Sequence, residues 1–583
     1  MRLWRPVAGV FASLLIAAAG ASSAANATTA PTSATKVILV TVDGAGFREV
    51  FAAGPRASAL ASLGGAGLVS QRLPLATTIN DVFGASHPFE ELDAGSVAGP
   101  EGVLVPMKLG SAFDRLESAL EPWQSSKVTV IFVSRSPSAA DVRAGDELGV
   151  IVMASGTGSQ ITKVLRASSA PTTVPALTSD STRRDGVVTT SDIAVTVANL
   201  THTTVPSGVI GANIHPTDAP APFDLYQRYR DQRRLTVPIG VASGTYAAVV
   251  GLFALWVSYR RKRTASWVQA AAAWGALSVL PLGLALLEVG RLPRLTYVGV
   301  IPFLIGVTIV LTAAAALVAR RRGTVSAVVA LGILALCVLG VEAVADWPGA
   351  VTPLLGGSQL DGGRFFGLPN AFIGLVLASA VFVALGLRNV AAGAGLLFVT
   401  GLVIGSPWFG SDLGGAITMC AVAGLWWSVR TRAHIARAVL LTGASAAAGA
   451  LMVLLTQRYL ASSPTHITHF AEGSGHSGGI LGTIAERSRI GVTLLVTHPF
   501  AAIPVLGVPV ALWVVLRPGP RLGPLLRKEP AFTGSLITIL LGSIIAYAVN
   551  DTGASALGLG FAWAVGALLF VSLVGRDETV VAE

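Results

Sequence analysis

Three short polar stretches interrupt the apolar C-terminal part of this 583-residue chain, and their residue types suit the handling of a phosphate or a glycan. D-G-G-R-F-F-G-L-P-N (361–370) sets Asp361 and Arg364 around two glycines and ends on Asn370. Glycines let a backbone approach a ligand, a guanidinium grips phosphate or carboxylate in a fork, and a helix opening at Asn370 favours an anion. The same residues also fit an interfacial turn, anchored by Phe365 and Phe366 and capped by Asn370. G-S-D-L-G-G (410–415) puts Asp412 at a helix start, where an aspartate caps well. N-D-T-G (550–553) repeats the pattern with Asn550 and Asp551. One such motif is explained by a cap or a turn; three on one side could converge on a polar pocket. In that pocket Asp361, Asp412 or Asp551 would be the base, while Arg364, Asn370 and Asn550 would bind substrate.

A fourth stretch, residues 464–489, carries His466, His469, His476, Glu472, Glu486, Arg487 and Arg489. On a helix, H-x-x-H puts both imidazoles on one face, as a metal requires. The glycines at 473, 475, 478 and 479 argue for a loop. There His466 and His469 read as general bases and Arg487 as a ligand for an anionic headgroup. Glu342 and Asp346, four residues apart, share a helical face. Carboxylates at membrane depth are expensive, so Glu342 joins the candidate substrate-binding groups. These residues specify no cofactor.

The elements that must position these groups are membrane helices. The chain is 52% hydrophobic and only 12% charged, with a mean hydropathy of +0.68; such compositions belong to polytopic membrane proteins. About eleven spans are expected, at 237–257, 266–288, 297–319, 324–346, 370–387, 390–406, 412–429, 435–456, 491–516, 531–549 and 554–575. Basic residues cluster in alternate loops: Arg260–Arg263, Arg320–Arg322, Arg430/Arg432/Arg437 and Arg517/Arg521/Arg527/Lys528. The positive-inside rule puts those loops in the cytoplasm, with Arg291 and Arg294 as exceptions. The polar motifs then face outward and the C-terminal tail (577–583) lies inside. The net charge of +10 resides in these loops, so no nucleic-acid partner is implied.

Residues 1–27 have the layout of a signal peptide: Arg2 and Arg5, an apolar run, then small residues. A linker, 28–35, leads to an exported domain over 36–235, followed by the transmembrane domain, 236–576. Val37–Val42, Val128–Val133 and Gly149–Met153 read as buried strands, and Ser58–Leu63 and Phe113–Leu120 have helical spacing. That alternation predicts an α/β extracytoplasmic domain on a parallel sheet, ahead of the all-α membrane domain. Cys337 and Cys420 both sit in apolar segments, so no disulfide framework is expected.

Three stretches of the exported domain resemble the alkaline-phosphatase superfamily. V-I-L-V-T-V-D-G (37–44) is similar to that fold's first strand, which ends in a metal-binding aspartate, here Asp43. E-L-G-V-I-V-M-A-S-G-T (147–157) is similar to the strand that normally ends in Asp-His-Gly, and S-T-R-R-D-G-V-V-T-T-S-D-I-A-V-T-V (181–197) to the closing segment. The resemblance implies a degenerate, metal-free relative, because Ser155-Gly156-Thr157 replace the ligands and only Asp43 remains. An α/β domain of this kind ahead of many spans also resembles membrane phosphoethanolamine transferases. R-F-F-G-L-P-N, a long outer loop and then Arg489 with H-P-F (498–500) resemble O-antigen ligase-type enzymes, which act on lipid-linked glycans.

The resulting expectation is a plasma-membrane protein of the bacterial cell envelope that transfers or processes a glycan or phospho group on a lipid-linked substrate. A membrane lipid or lipid-linked glycan is the expected partner. The alternatives are an assembly scaffold that binds an envelope protein through the degenerate domain, or a lipid transporter.

Overall fold

The computed structural model describes residues 36–42, 50–51, 55–70, 97–99, 102–107, 109–134, 148–166, 173–202, 204–205, 211–344, 351–355, 358–361, 365–387, 389–460, 502–519, 522–550 and 553–574. The signal-peptide, linker and tail assignments lie outside these residues.

The N-terminal domain is built on a sheet of nine strands: β1 (Lys36–Val42), β2 (Gly64–Ser70), β3 (Val97–Gly99), β4 (Gly102–Met107), β5 (Lys127–Ser134), β6 (Gly149–Thr157), β7 (Pro175–Ser179), β8 (Val187–Thr189) and β9 (Ile214–Pro220). The strand order is β3-β4-β1-β5-β6-β2-β7-β9, with β8 also paired to β2. Helices α1 (Pro55–Ala61), α2 (Leu109–Leu120), α3 (Gly158–Leu165) and α4 (Thr190–Leu200) flank it. The β-branched runs alternate between two apolar layers. Ile38, Val40, Val130 and Phe132 enter one, and Val37, Leu39, Ile131 and Val133 enter the other. A strand covered on both faces must be apolar at every position, which explains the unbroken V-I-L-V run.

The expected parallel sheet is corrected to a mixed one. β4, β1 and β5 are parallel neighbours, but β6 runs antiparallel to both β5 and β2, and β9 antiparallel to β7. Alternation of strands and helices in sequence does not distinguish a crossover from a strand that turns straight back beside its predecessor. The direction of β6 separates two of the resembling segments. Thr157 pairs opposite Lys127, and Lys36 opposite Val128. The Ser155–Thr157 tip therefore lies at the edge where β1 begins, about 20 Å along the strand from Val42, where β1 ends.

Helices occupy the described part of every expected span: α5 (Phe223–Arg260), α6 (Ser266–Glu288), α7 (Tyr297–Arg322), α8 (Thr324–Val344), α9 (Ile373–Gly386), α10 (Val390–Gly405), α11 (Leu413–Arg430), α12 (Ile435–Leu460), α13 (Ala502–Leu516), α14 (Pro530–Val549) and α15 (Gly553–Val574). Among the described residues, seven helices are long and apolar enough, by length and composition, to cross a membrane. Three further apolar helices, Asn370–Gly386, Val390–Gly405 and Ile503–Leu516, are shorter. α9 has 14 residues and α10 has 16. α9 is buried on all sides from Ile373 to Ala384. A helix apolar all round is buried, whether in a protein core or as an inner helix of a membrane bundle.

α5 continues without a break through residue 235 and, at 38 residues, is about 57 Å long. It starts against the α/β domain and ends in Arg260, with Arg261–Arg263 beyond. Successive helices alternate in direction, so Arg320–Arg322, Arg430 and Arg517 also end up at the end of the bundle remote from that domain.

Candidate functional site

The sheet meets the helices along one edge. β1, β4, β5 and β7 run the same way, and their carboxyl ends face the bundle. Open α/β sheets bind ligands outside that edge. The loop leaving β7 carries Arg183 and Arg184. Arg184 donates from Nη2 to Gln359 Oε1 at 2.6 Å and to the Phe365 carbonyl at 3.0 Å, and from Nε to the same carbonyl at 3.1 Å. Arg183 donates to the Pro407 carbonyl at 2.9 Å and lies 4.5 Å over the Phe366 ring. Its backbone is left-handed, φ 51°, a conformation that costs of order 1 kcal/mol outside glycine. Burial lowers the pKa of the Arg183 guanidinium, and Asp180 opposes that shift.

The arginine loop is held from below by Asp192, which is fully buried. Its carboxylate accepts from Ser179 Oγ (2.7 Å), Ser181 Oγ (2.7 Å), Thr189 N (2.8 Å) and Ala212 N (2.8 Å). The same aspartate completes the capping box of α4. On the membrane side, Val351 and Leu360 are buried in the α/β core and Phe365 packs against it. Gln232 of α5 donates to the Pro353 carbonyl at 2.9 Å.

Directly beneath this junction the three polar motifs converge. Gly367 (φ +75°) lies against Phe409 and Gly410, with room for no Cβ: one would come within 2.7 Å of Gly410 Cα. A Cβ on Gly414 would meet Asn550 Oδ1 at 2.6 Å, and one on Gly374 the Ala556 backbone. Asn550 donates to Thr418 Oγ1 at 3.2 Å and to the Ala546 carbonyl at 3.1 Å. Asp412 Oδ1 accepts from Gly415 N at 2.6 Å, the cap of α11. Gln457 of α12 steadies the preceding turn, donating to the Gly405 carbonyl and Ser411 Oγ, both at 3.0 Å. α9, α11 and α15 come together here, but the meeting is tightly packed, and its glycines serve close approach of backbones.

The open space adjoins this seam. A small groove of about 80 Å³ runs between α8, α9 and α10, lined by Leu336, Leu339, Val376, Val403 and Ile404 and reaching Asp412. The walls are apolar and Asp412 is the acidic group on them. Asn370 opens a 3-10 turn ahead of α9, and Pro369 beside it lines the groove.

Glu342 is placed elsewhere, in an ion-pair cluster. Arg291 binds Glu342 Oε1 from Nη2 at 2.7 Å and also pairs with Glu288. Arg291, an exception to the charge pattern of the loops, thus answers two carboxylates. Asp361 ends a 3-10 turn beside Leu360, and its side chain is outside the described residues. Asp43, Arg364, His466, His469, Arg487 and Asp551 also lie outside them. Sequence reading missed Arg183, Arg184, Asp192 and Gln457. The R-R pair after S-T was the available signal, but a buried docking arginine looks like a surface one until its acceptor is known.

The geometry defines a class: a chain with several helices able to span a membrane, on which a mixed-sheet α/β domain sits with the carboxyl edge of its strands toward the bundle. Comparison with protein-family models, curated proteins and solved structures finds no match to this chain.

Proposed function

We propose that this chain is a multi-pass protein of a bacterial plasma membrane that transfers or processes a glycan or phospho group on a lipid-linked substrate, with the α/β domain on the outer side. The observation that carries the reading is the groove: apolar walls between α8, α9 and α10 lead to the carboxylate of Asp412, below the ligand-binding edge of the sheet. Apolar walls suit the chain of a lipid, and the docked domain lies where the polar end of such a substrate would emerge. The arginines gathered at the remote end of the bundle support an outward-facing groove mouth.

The test uses full-length protein extracted in mild detergent, with retained lipid identified by mass spectrometry and the lipid-linked glycan pool of the cells followed chromatographically. A polyprenyl- or acyl-linked lipid is expected on the wild type, lost in Thr400→Trp, which fills the groove. Asp412→Asn keeps the helix cap, since asparagine caps as well as aspartate, but removes the charge; the pool should change at unchanged protein level. An unchanged pool in Asp412→Asn and unchanged lipid retention in Thr400→Trp would sink the reading. That result would favour a scaffold, to which the capping role of Asp412 and the fixed docking of Arg183 and Arg184 give independent support.

A further inference from the structure

A second cluster of basic residues sits at the domain end of the bundle, where the positive-inside pattern calls for none. Arg228, Arg230, Arg233 and Arg234 stand in the first turns of α5, against Asp224 and Asp231, and Arg294 stands just before α7. Two of the helix's faces divide their work. Tyr226, Tyr229, Gln232, Leu235 and Ile239 are buried. Arg230, Arg234, Val237 and Val241 follow at steps of four, three and four, one stripe of the opposite side. Val237 is 65% exposed and Val241 41%, so this stripe is the one that meets lipid if α5 spans a membrane. Arg234 comes three residues, about 4.5 Å, before the first of those valines, which is the level of the headgroups.

α7 repeats the arrangement. Arg294 precedes Tyr297 and Val298, which are 52% and 85% exposed, and the amino end of a 26-residue helix adds its own partial positive charge. The two helix entries are held together. Arg228 donates to the carbonyls of Gly290 and Leu292, while Leu235 and Ile239 of α5 share an apolar cluster with Leu295, Val300 and Leu304 beside the end of α6. Arg291 and Arg228 are already engaged. Among the described residues no acceptor binds Arg230, Arg234 or Arg294.

We propose that the two helix entries form a basic rim, Arg230 and Arg234 on α5 and Arg294 on α7, that binds the phosphates of anionic membrane lipids whose chains lie along the exposed faces of these helices. This rim is formed by α5 and α7, while the groove of the preceding section is formed by α8, α9 and α10, so either can fail without the other.

The experiment measures lipid binding by full-length protein, using native mass spectrometry and thermal unfolding. The probes are phosphatidylglycerol, phosphatidylcholine and inorganic phosphate. Phosphatidylglycerol should bind and raise the melting temperature more than phosphatidylcholine, with affinity falling about fivefold for each arginine changed to glutamine. Arg234→Gln and Arg294→Gln are made singly as well as with Arg230→Gln, so a misfolded triple variant leaves the measurement intact. Arg320→Gln/Arg321→Gln at the remote end should leave phosphatidylglycerol binding at the domain end unchanged. Equal binding by wild type and the single variants overturns the rim. Inorganic phosphate matching the lipid's stabilisation overturns its assignment to a lipid.

Discussion

Arg184 closes on Phe365 from two nitrogens at once, Nε at 3.1 Å and Nη2 at 3.0 Å from one carbonyl oxygen, across 181 residues of sequence. A planar fork on a backbone acceptor has a fixed direction, which a flexible ammonium cannot supply. Arg184→Lys should therefore loosen the domain almost as much as Arg184→Ala, each costing about 2–3 kcal/mol. Hydrogen exchange of β7 and β8 checks this: both variants should expose those strands, and a protected sheet in the lysine variant would contradict it.

Asp192 supports that fork from inside the domain. Asp192→Asn leaves the shape but turns an amide donor toward Ser179, Ser181 or a backbone N–H, all of which donate. The expected loss is about 1–3 kcal/mol, the cost of unsatisfied buried polar groups. Thermal unfolding reads the loss, and faster proteolysis within 179–184 should accompany it.

The Glu288–Arg291–Glu342 cluster answers to charge balance. Arg291→Met leaves two carboxylates facing one another with Glu342 fully buried, and should cost about 3 kcal/mol or more. Adding Glu288→Gln and Glu342→Gln to that variant removes both charges and should recover most of the loss. A triple variant as unstable as Arg291→Met alone would mean that packing, and not charge, is at stake.

Gly367 and Gly414 test the seam. Gly367→Ala must adopt φ +75° and push Gly410 aside, whereas Gly414→Ala has to move the Asn550 amide and crowds the Val549 carbonyl at 3.2 Å. The first should cost several kcal/mol through backbone strain and overlap, the second about 1–2 kcal/mol. Detergent-extracted melting temperatures should rank wild type, Gly414→Ala and Gly367→Ala in descending order.

The helices were legible because burial writes a long apolar run into sequence, and α6 starts and stops where its run does, at Ser266 and Glu288. What such a run does not record is the surrounding. α9 inside the bundle and α7 on its rim have the same kind of composition, so the sequence does not tell the buried helix from the exposed one. The three most apolar strands, β1, β5 and β6, were equally plain, while the shorter or glycine-bearing strands such as β2 and β8 were not, and the direction of β6 depends on its pairing with β5, which no residue in it encodes. At the site, Asp412 and Asn550 were noticed for their chemistry, and the convergence of their motifs followed from span order. Their capping and anchoring roles emerged only with Gly415 and Thr418 in view. Arg183 and Arg184 were hidden for a simpler reason: their acceptors are backbone carbonyls, which have no sequence signature.

The sharing of one apolar core by the α/β domain and residues Val351, Leu360 and Phe365 has a consequence for how the chain is made. The last strand of the domain ends at Pro220, so its final core pieces are synthesised roughly 10–30 s later at ordinary elongation rates. Four helices must be placed in between. During that interval the domain exists with an open apolar face and no lid of its own, a natural moment for a chaperone to hold it. Maturation of the α/β domain would then report on correct placement of the helices that follow it, and a stalled or truncated chain would be recognisable by the face left uncovered.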